Sequence, residues 1–118
     1  MKYVCLIYDE QGKWERMPKS EADAMMGEYV AFTESIRKSG NYVAGEALQP
    51  VQTATTLRSR NGRLSSTDGP FAETKEQLGG FYLIDAKDLD EAIQIASRIP
   101  SVKIGSIEVR PVVDFSKA

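Results

Sequence analysis

Histidine is absent from this chain of 118 residues. Its absence excludes a Ser-His-Asp or Cys-His nucleophile, a His-ligated zinc and an imidazole acid–base catalyst. Any catalysis must then use carboxylates, Lys, Arg, Tyr or the backbone. Cysteine occurs once, at Cys5 inside an apolar run, so no internal disulfide forms and the thiol reads as buried and inert. No apolar stretch approaches the length that crosses a bilayer. The opening MKYVCLIYDE lacks the longer core and the small-residue cleavage site of a signal peptide. A dominant charge is lacking too: 15 basic and 17 acidic residues leave a net charge of −2, a field that draws neither nucleic acid nor anionic membrane. These exclusions describe a cytoplasmic protein with no nucleic-acid or membrane partner, and no cofactor or metal motif stands out.

What is present is ordinary globular material, 42% hydrophobic and 27% charged, enough for one domain spanning residues 1–118. Lys2 to Tyr8 carries apolar groups on both faces, Tyr3, Cys5 and Ile7 against Val4, Leu6 and Tyr8, as a strand covered on both sides would. Asp9 to Lys19 is polar, holds Gly12 and Pro18, and reads as a loop; Trp14 within it reads as packing over a neighbouring edge or a partner chain. Ser20 with Asp23 resembles a capping box for a helix to about Ser39, closed by Gly40. Strands are expected over Tyr42–Leu48 and Thr53–Arg60. Asn61-Gly62 then returns the chain through Arg63–Thr67 as a hairpin, with Arg58, Arg60 and Arg63 near a solvated tip. Gly80–Ala86 is a second strand apolar on both faces. Asp88 with Glu91 caps a helix to about Ile99, which Pro100 stops. A last strand, Ile107–Val113, alternates Ile107, Val109 and Val113 against Glu108 and Arg110.

The resulting order is β-α-β, an inserted hairpin, then β-α-β. It predicts an α+β sandwich of the ferredoxin-like type, an antiparallel sheet with two helices on one face. The two strands with apolar groups on both faces are the ones this topology makes central, and Pro111 falls on an edge strand where a missing N–H is tolerated. Two helices cover only one face. The other is too apolar to meet water, so a homodimer packed sheet against sheet, with a cavity between subunits, is the economical expectation.

Ser66 to Ile84, STDGPFAETKEQLGGFYLI, concentrates the candidate chemistry at the mouth of a buried strand. Asp68 is a general base or ligand carboxylate on one reading, and on the other an Asx-type turn around Gly69 and Pro70. Glu73, a second catalytic candidate, together with Lys75 and Glu76, either lines a pocket or forms a solvated, ion-paired turn. Gly79-Gly80 admits a ligand close to the backbone or marks a bulge. Tyr82 lies on the strand beyond. Arg110 would face the sheet-side cavity, where a guanidinium suits a small anionic organic ligand, or an internal ion pair with Asp68 or with neighbours of Glu108.

DGPFAETKEQLGGFYLID, the following DLDEA, the Ile-Pro after that helix, the final G-x-IEVRPV, the opening MKY-x-x-LIY and Gly45-Glu46-x-Leu48 together resemble the DGPF-type branch of the YCII-related family over nearly the whole chain. The resemblance implies a dimeric ferredoxin-like fold of the α/β-barrel type with a pocket between helices, sheet and partner, in a family whose bacterial members are mostly of unassigned function. Other YCII-related proteins are thought to use a histidine-aspartate pair. This chain has no histidine, and carries Ile99-Pro100 where those relatives have Asp-Pro, so that pair does not transfer. Two function classes remain. One is a binding or accessory domain that keeps the pocket. The other is an isomerase, lyase or dehydrohalogenase that moves protons with carboxylates or Tyr. A carboxylate with a raised pKa inside the cavity favours the enzyme; a cavity with every carboxylate paired favours binding.

Overall fold

The structure, a computed structural model, describes residues 1–117. The chain runs β1 (Lys2–Glu10), α1 (Lys13–Arg16), α2 (Lys19–Lys38), β2 (Tyr42–Ala47), β3 (Thr55–Arg60), β4 (Arg63–Asp68), β5 (Glu76–Asp85), α3 (Leu89–Ala96) and β6 (Gly105–Pro111), with short 3₁₀ turns at Val51–Thr53, Pro100–Lys103 and Phe115–Lys117. Four strands form one sheet in the order β2-β5-β1-β6, every neighbouring pair antiparallel, and β3-β4 form a separate ribbon. This α+β architecture is compatible with the ferredoxin-like expectation, and the two strands apolar on both faces, β1 and β5, are the central pair.

The core lies between the sheet and the helices. Tyr3, Cys5 and Ile7 of β1 and Tyr82 and Ile84 of β5 pack on Phe32 and Ile36 of α2, on Ala92, Ile95 and Ala96 of α3 and on Ile99. Ile107 and Val109 extend this layer across the edge strand. Burial raises the Cys5 thiol to about 11, so at neutral pH it stays protonated and unreactive. Val4, Leu6 and Tyr8 of β1 and Phe81 and Leu83 of β5 point to the other side, where they are half-buried. Val4 sits opposite Leu83, and Leu6 opposite Phe81, on that face.

Local signals hold at most element ends. Asn61 and Gly62 both take positive φ (55° and 75°), the two-residue turn their sequence predicts, and Gly40 closes α2 at φ 81°. The Asp88 carboxylate accepts the Glu91 amide at 2.9 Å, while Glu91 accepts the Lys87 amide at 3.1 Å.

Several expectations need correction. The strand expected over Gly80–Ala86 begins at Glu76 and ends at Asp85. The helix expected from a Ser20–Asp23 capping box instead begins at Lys19. Pro18 starts it, its carbonyl taking the Glu21 and Ala22 amides, and Asp23 is ion-paired with Lys19 at 2.8 Å. The loop expected over Asp9–Lys19 loses its ends and middle to structure, since β1 continues to Glu10 and Lys13–Arg16 is helical. The α3 helix stops at Ala96 because the Arg98 and Ile99 amides turn back to the carbonyls of Ile95 and Ala96, a tightening that hands the chain to Pro100. The last strand ends at Pro111 rather than Val113; beyond it the Val112 amide still donates to the Lys2 carbonyl at 2.9 Å, and Val113 lies outside the strand.

Candidate functional site

The alternation that buries Tyr3, Cys5 and Ile7 carries Asp9 to the same, helix-side face. There Asp9 lines a cleft of about 570 Å³, walled by α1, α2, β2 and β5 and by the segment Leu48–Val51. Trp14 of α1 donates its indole N–H to Asp9 Oδ2 at 3.3 Å and lies 6.2 Å, centroid to centroid, from the Tyr29 ring. The Tyr29 hydroxyl shares a hydrogen bond with buried Ser101, and the Tyr82 hydroxyl lies 2.7 Å from Thr33 Oγ1. Met26, Tyr42 and Arg37 complete the wall, the guanidinium lying 4.6 Å over the Tyr42 ring.

Burial pushes the Asp9 carboxyl above its ordinary value. The Trp14 hydrogen bond and the Lys13 charge oppose this without cancelling it, and the Glu76 carboxylate adds to it. Lys13, whose charge opposes the rise, forms no ion pair with Asp9 and donates its ammonium to the Ile104 carbonyl at 3.0 Å. Burial also raises two of the phenols that line the cleft, Tyr29 and Tyr82, which therefore remain protonated at neutral pH.

Backbone departures make room for this carboxylate. Between Ile7 and Tyr8 the β1–β5 register slips: Gly80 faces Ile7, Leu78 faces Tyr8, and Gly79 is the extra residue of a bulge. A Cβ at Gly79 would lie 3.4 Å from Asp9 Oδ1, and one at Gly80 would lie 2.8 Å from the Glu46 carbonyl oxygen. Gly45 is held as tightly, since a Cβ there would come within 2.9 Å of the Tyr82 ring.

The residues singled out from sequence do not gather into one site. Tyr82 lines the cleft, and Glu76, half-buried at the start of β5, reaches Asp9 only through its field; its carboxylate accepts the Ser106 hydroxyl at 2.7 Å. Asp68 ends β4 opposite Thr55 and is exposed, as are Glu73 and Lys75. Around Gly69 the hydrogen bonds run from its amide to Ala54 and from the Thr56 hydroxyl to its carbonyl (2.8 and 2.9 Å), so backbone and Thr56 hold the turn. Thr74 and Gln77 tie down the rest of that loop, Gln77 donating to the carbonyls of Ala72 and Thr74. Arg110 lies with Glu108 on the face away from the helices, as the alternation predicts, and the two form an exposed ion pair. Asp9 and Trp14 are the site residues that sequence reasoning missed. The period-2 pattern of β1, run two residues further, would have found Asp9.

An α+β domain with a single-chain cleft holding one desolvated carboxylate among aromatic hydroxyls is thus the class that fold and site define. The chain belongs to the YCII-related domain family, which it matches over residues 1–116. It is 39% identical over 113 residues to an uncharacterized protein of Rhizobium meliloti (strain 1021), an alignment covering 94% of this chain and 91% of the relative.

Proposed function

We propose that this protein binds a small organic molecule in the helix-side cleft and exchanges a proton with it through Asp9. The observation that carries the reading is the state of that carboxylate. It is half-buried, its pKa is raised, and Lys13 donates to the Ile104 carbonyl rather than forming an ion pair with it. A carboxylate that pairs with a cation for structural reasons is held the other way, below its ordinary value. Asp9 would act as general base toward a C–H or N–H made acidic by an adjacent carbonyl, as in isomerases, lyases and dehydrohalogenases. The protonated Tyr29 and Tyr82 are the donors available to a developing oxyanion.

The protein is read as a homodimer of the dimeric α/β-barrel type within the DGPF-type branch. Support comes from the sheet face away from the helices, where Val4, Leu6, Phe81 and Leu83 form an apolar centre and Glu108–Arg110 a charged margin, the usual pattern of an interface core and rim. Light scattering should give twice the 13.1 kDa chain mass. In this assembly Arg110 belongs to the rim, and the ligand site lies in the helix-side cleft of each chain.

The test is a thermal-shift screen of small carbonyl compounds and organic acids on the wild type and Asp9→Asn. The proton NMR signal of each hit is then followed in D₂O. Hits that bind both proteins but exchange a proton only with the wild type support the reading. Hits that bind without exchange leave a binding or accessory domain, the alternative that the missing histidine favours. A wild type stabilised by none of them refutes both.

A further inference from the structure

The ribbon β3-β4 belongs to no other sheet, and its register divides it into two unlike faces. Leu57 and Leu64 share one face with Thr55, Ser59, Ser66 and Asp68; Arg58, Arg60 and Arg63 share the other with Thr56, Ser65 and Thr67. The apolar face is largely uncovered in its own chain: Leu57 is 61% exposed and Leu64 73%. A two-stranded hairpin standing alone is marginal in water, so a ribbon of this kind needs a surface to lie on.

The overall dimensions indicate which surface. The radius of gyration is 16.3 Å, whereas a compact chain of this length has about 13.5 Å. The accessible surface is 8188 Å², against about 6,400 Å² for a compact monomer of the same mass. The excess, about 1,800 Å² per chain, corresponds to about 3,600 Å² shared by two copies, within the range of obligate dimers.

We propose that the ribbon is an arm exchanged between two copies of this chain, the Leu57–Leu64 face of each lying on the other at the margin of the sheet-to-sheet contact. This rests on the homodimer proposed above and adds the element that locks it. The arginine face then points away from the partner; its half-buried Arg58 lies 5.6 Å over the Phe71 ring of its own chain. Its directly opposed pair, Arg60 and Arg63, avoids the repulsion that a low-dielectric contact would intensify.

Sedimentation equilibrium tests the arm on the wild type, on Leu57→Glu/Leu64→Glu, and on the control Ser65→Glu from the opposite face. The arm predicts a wild-type dimer, a double variant whose dimer dissociation constant rises roughly a hundredfold, and a control that behaves as wild type. Far-UV circular dichroism should change by no more than the loss of the ribbon's own two strands, because neither leucine belongs to the core of its own chain. A double variant that dimerises as tightly as the wild type overturns the arm and leaves the sheet-face dimer standing. A monomeric wild type overturns both. Where the double variant fails to fold, hydrogen exchange of the 55–68 amides in the wild type decides the matter. Protection that disappears on dilution supports the arm; protection independent of concentration overturns it. A monomer that binds a single-stranded oligonucleotide with steep salt dependence would assign the ribbon to its arginine face instead.

Discussion

Two adjacent glycines in β5 should respond in opposite ways to the same small change. At Gly80 an added Cβ would lie 2.8 Å from the carbonyl oxygen of Glu46, an atom of the β2 backbone that cannot swing away as a side-chain end can. Strand β2 must therefore move against β5, a form of overpacking that costs about 1–3 kcal/mol. Alanine also reduces the freedom of the unfolded chain, which offsets about 0.4–1 kcal/mol. The net loss for Gly80→Ala is then about 1–2 kcal/mol, a fall in Tm of roughly 4–12 °C for a domain of this size. At Gly79 the same Cβ meets Asp9 Oδ1 at 3.4 Å, an ordinary van der Waals contact. Gly79→Ala should melt within about 0.5 kcal/mol of the wild type, yet place a methyl group on the carboxylate and shield it further from water. Its effect belongs in ligand binding and proton exchange, which should fall while stability holds. Thermal melts by circular dichroism, at a concentration above any dimer dissociation, compare the two. Equal destabilisation by both changes, or a neutral Gly80→Ala, would refute the strand-contact argument and with it the role given to the bulge.

Further outcomes follow from single residues. Because burial raises the Asp9 pKa above its unfolded value, the folded chain holds more protons between the two values, and stability falls as pH rises through that window. Asp9→Asn, which keeps an acceptor for Trp14, should thus raise Tm at neutral pH and lose the advantage below the ordinary carboxylate value of about 3.9; a gain confined to acid pH would contradict the desolvated carboxylate. Gly69 sits at φ 116°, so Gly69→Ala should cost on the order of 1 kcal/mol while exposed Lys75→Ala costs nearly nothing. Melts that rank Lys75→Ala as the worse would return that lysine to a buried role. Arg110→Ala breaks an exposed pair with Glu108 and should change folding stability by no more than about 1 kcal/mol. Loss of ligand-induced stabilisation in that variant would put Arg110 back in the ligand site.

The sequence was most readable where one residue type settles a conformation or where apolar groups repeat. Apolar groups on both faces mark β1 and β5 as central, and Asn61-Gly62 fixes a turn with φ positive at both positions. The Asp88–Glu91 cap is local chemistry that no tertiary contact overrides. The site was less readable, for two physical reasons. Polar density draws attention to Asp68, Glu73 and Lys75, but ionisable side chains crowd turns because turns meet water, and these three are exposed. The groups that do line the cleft are dispersed over β1, α1, α2, β2 and β5, and only the folded chain brings them together. The four-residue α1 that carries Trp14 is too short for any helical period to register. The splay of the β3-β4 ribbon away from its own domain is likewise a tertiary fact that no local pattern announces.

Asp9 is positioned as much by what its neighbours lack as by what they supply. Across the β6 ladder it pairs with Gly105, and on the β5 side, where its paired residue is Gln77, the bulge residue Gly79 lies against its carboxylate. A Cβ at Gly105 would stand 2.1 Å from the Tyr8 carbonyl oxygen and 3.0 Å from Asp9 Cβ, so β6 can approach at this register only with a bare backbone. An ordinary side chain on either strand would cover the carboxylate or push the strands apart. Glycine on both sides leaves it on the sheet floor, open to the cleft and with a single indole donor to orient it. Such a carboxylate is desolvated enough to hold a proton more readily, yet still within reach of a ligand, the combination general-base chemistry needs. Gly105→Ala should then cost more stability than any other glycine-to-alanine change in the sheet, beyond the 1–2 kcal/mol expected at Gly80, because a 2.1 Å approach to backbone cannot relax without moving β6. A Gly105→Ala protein that melts with the wild type would mean that β6 adjusts freely, and that the narrow seat of Asp9 is not imposed by its edge.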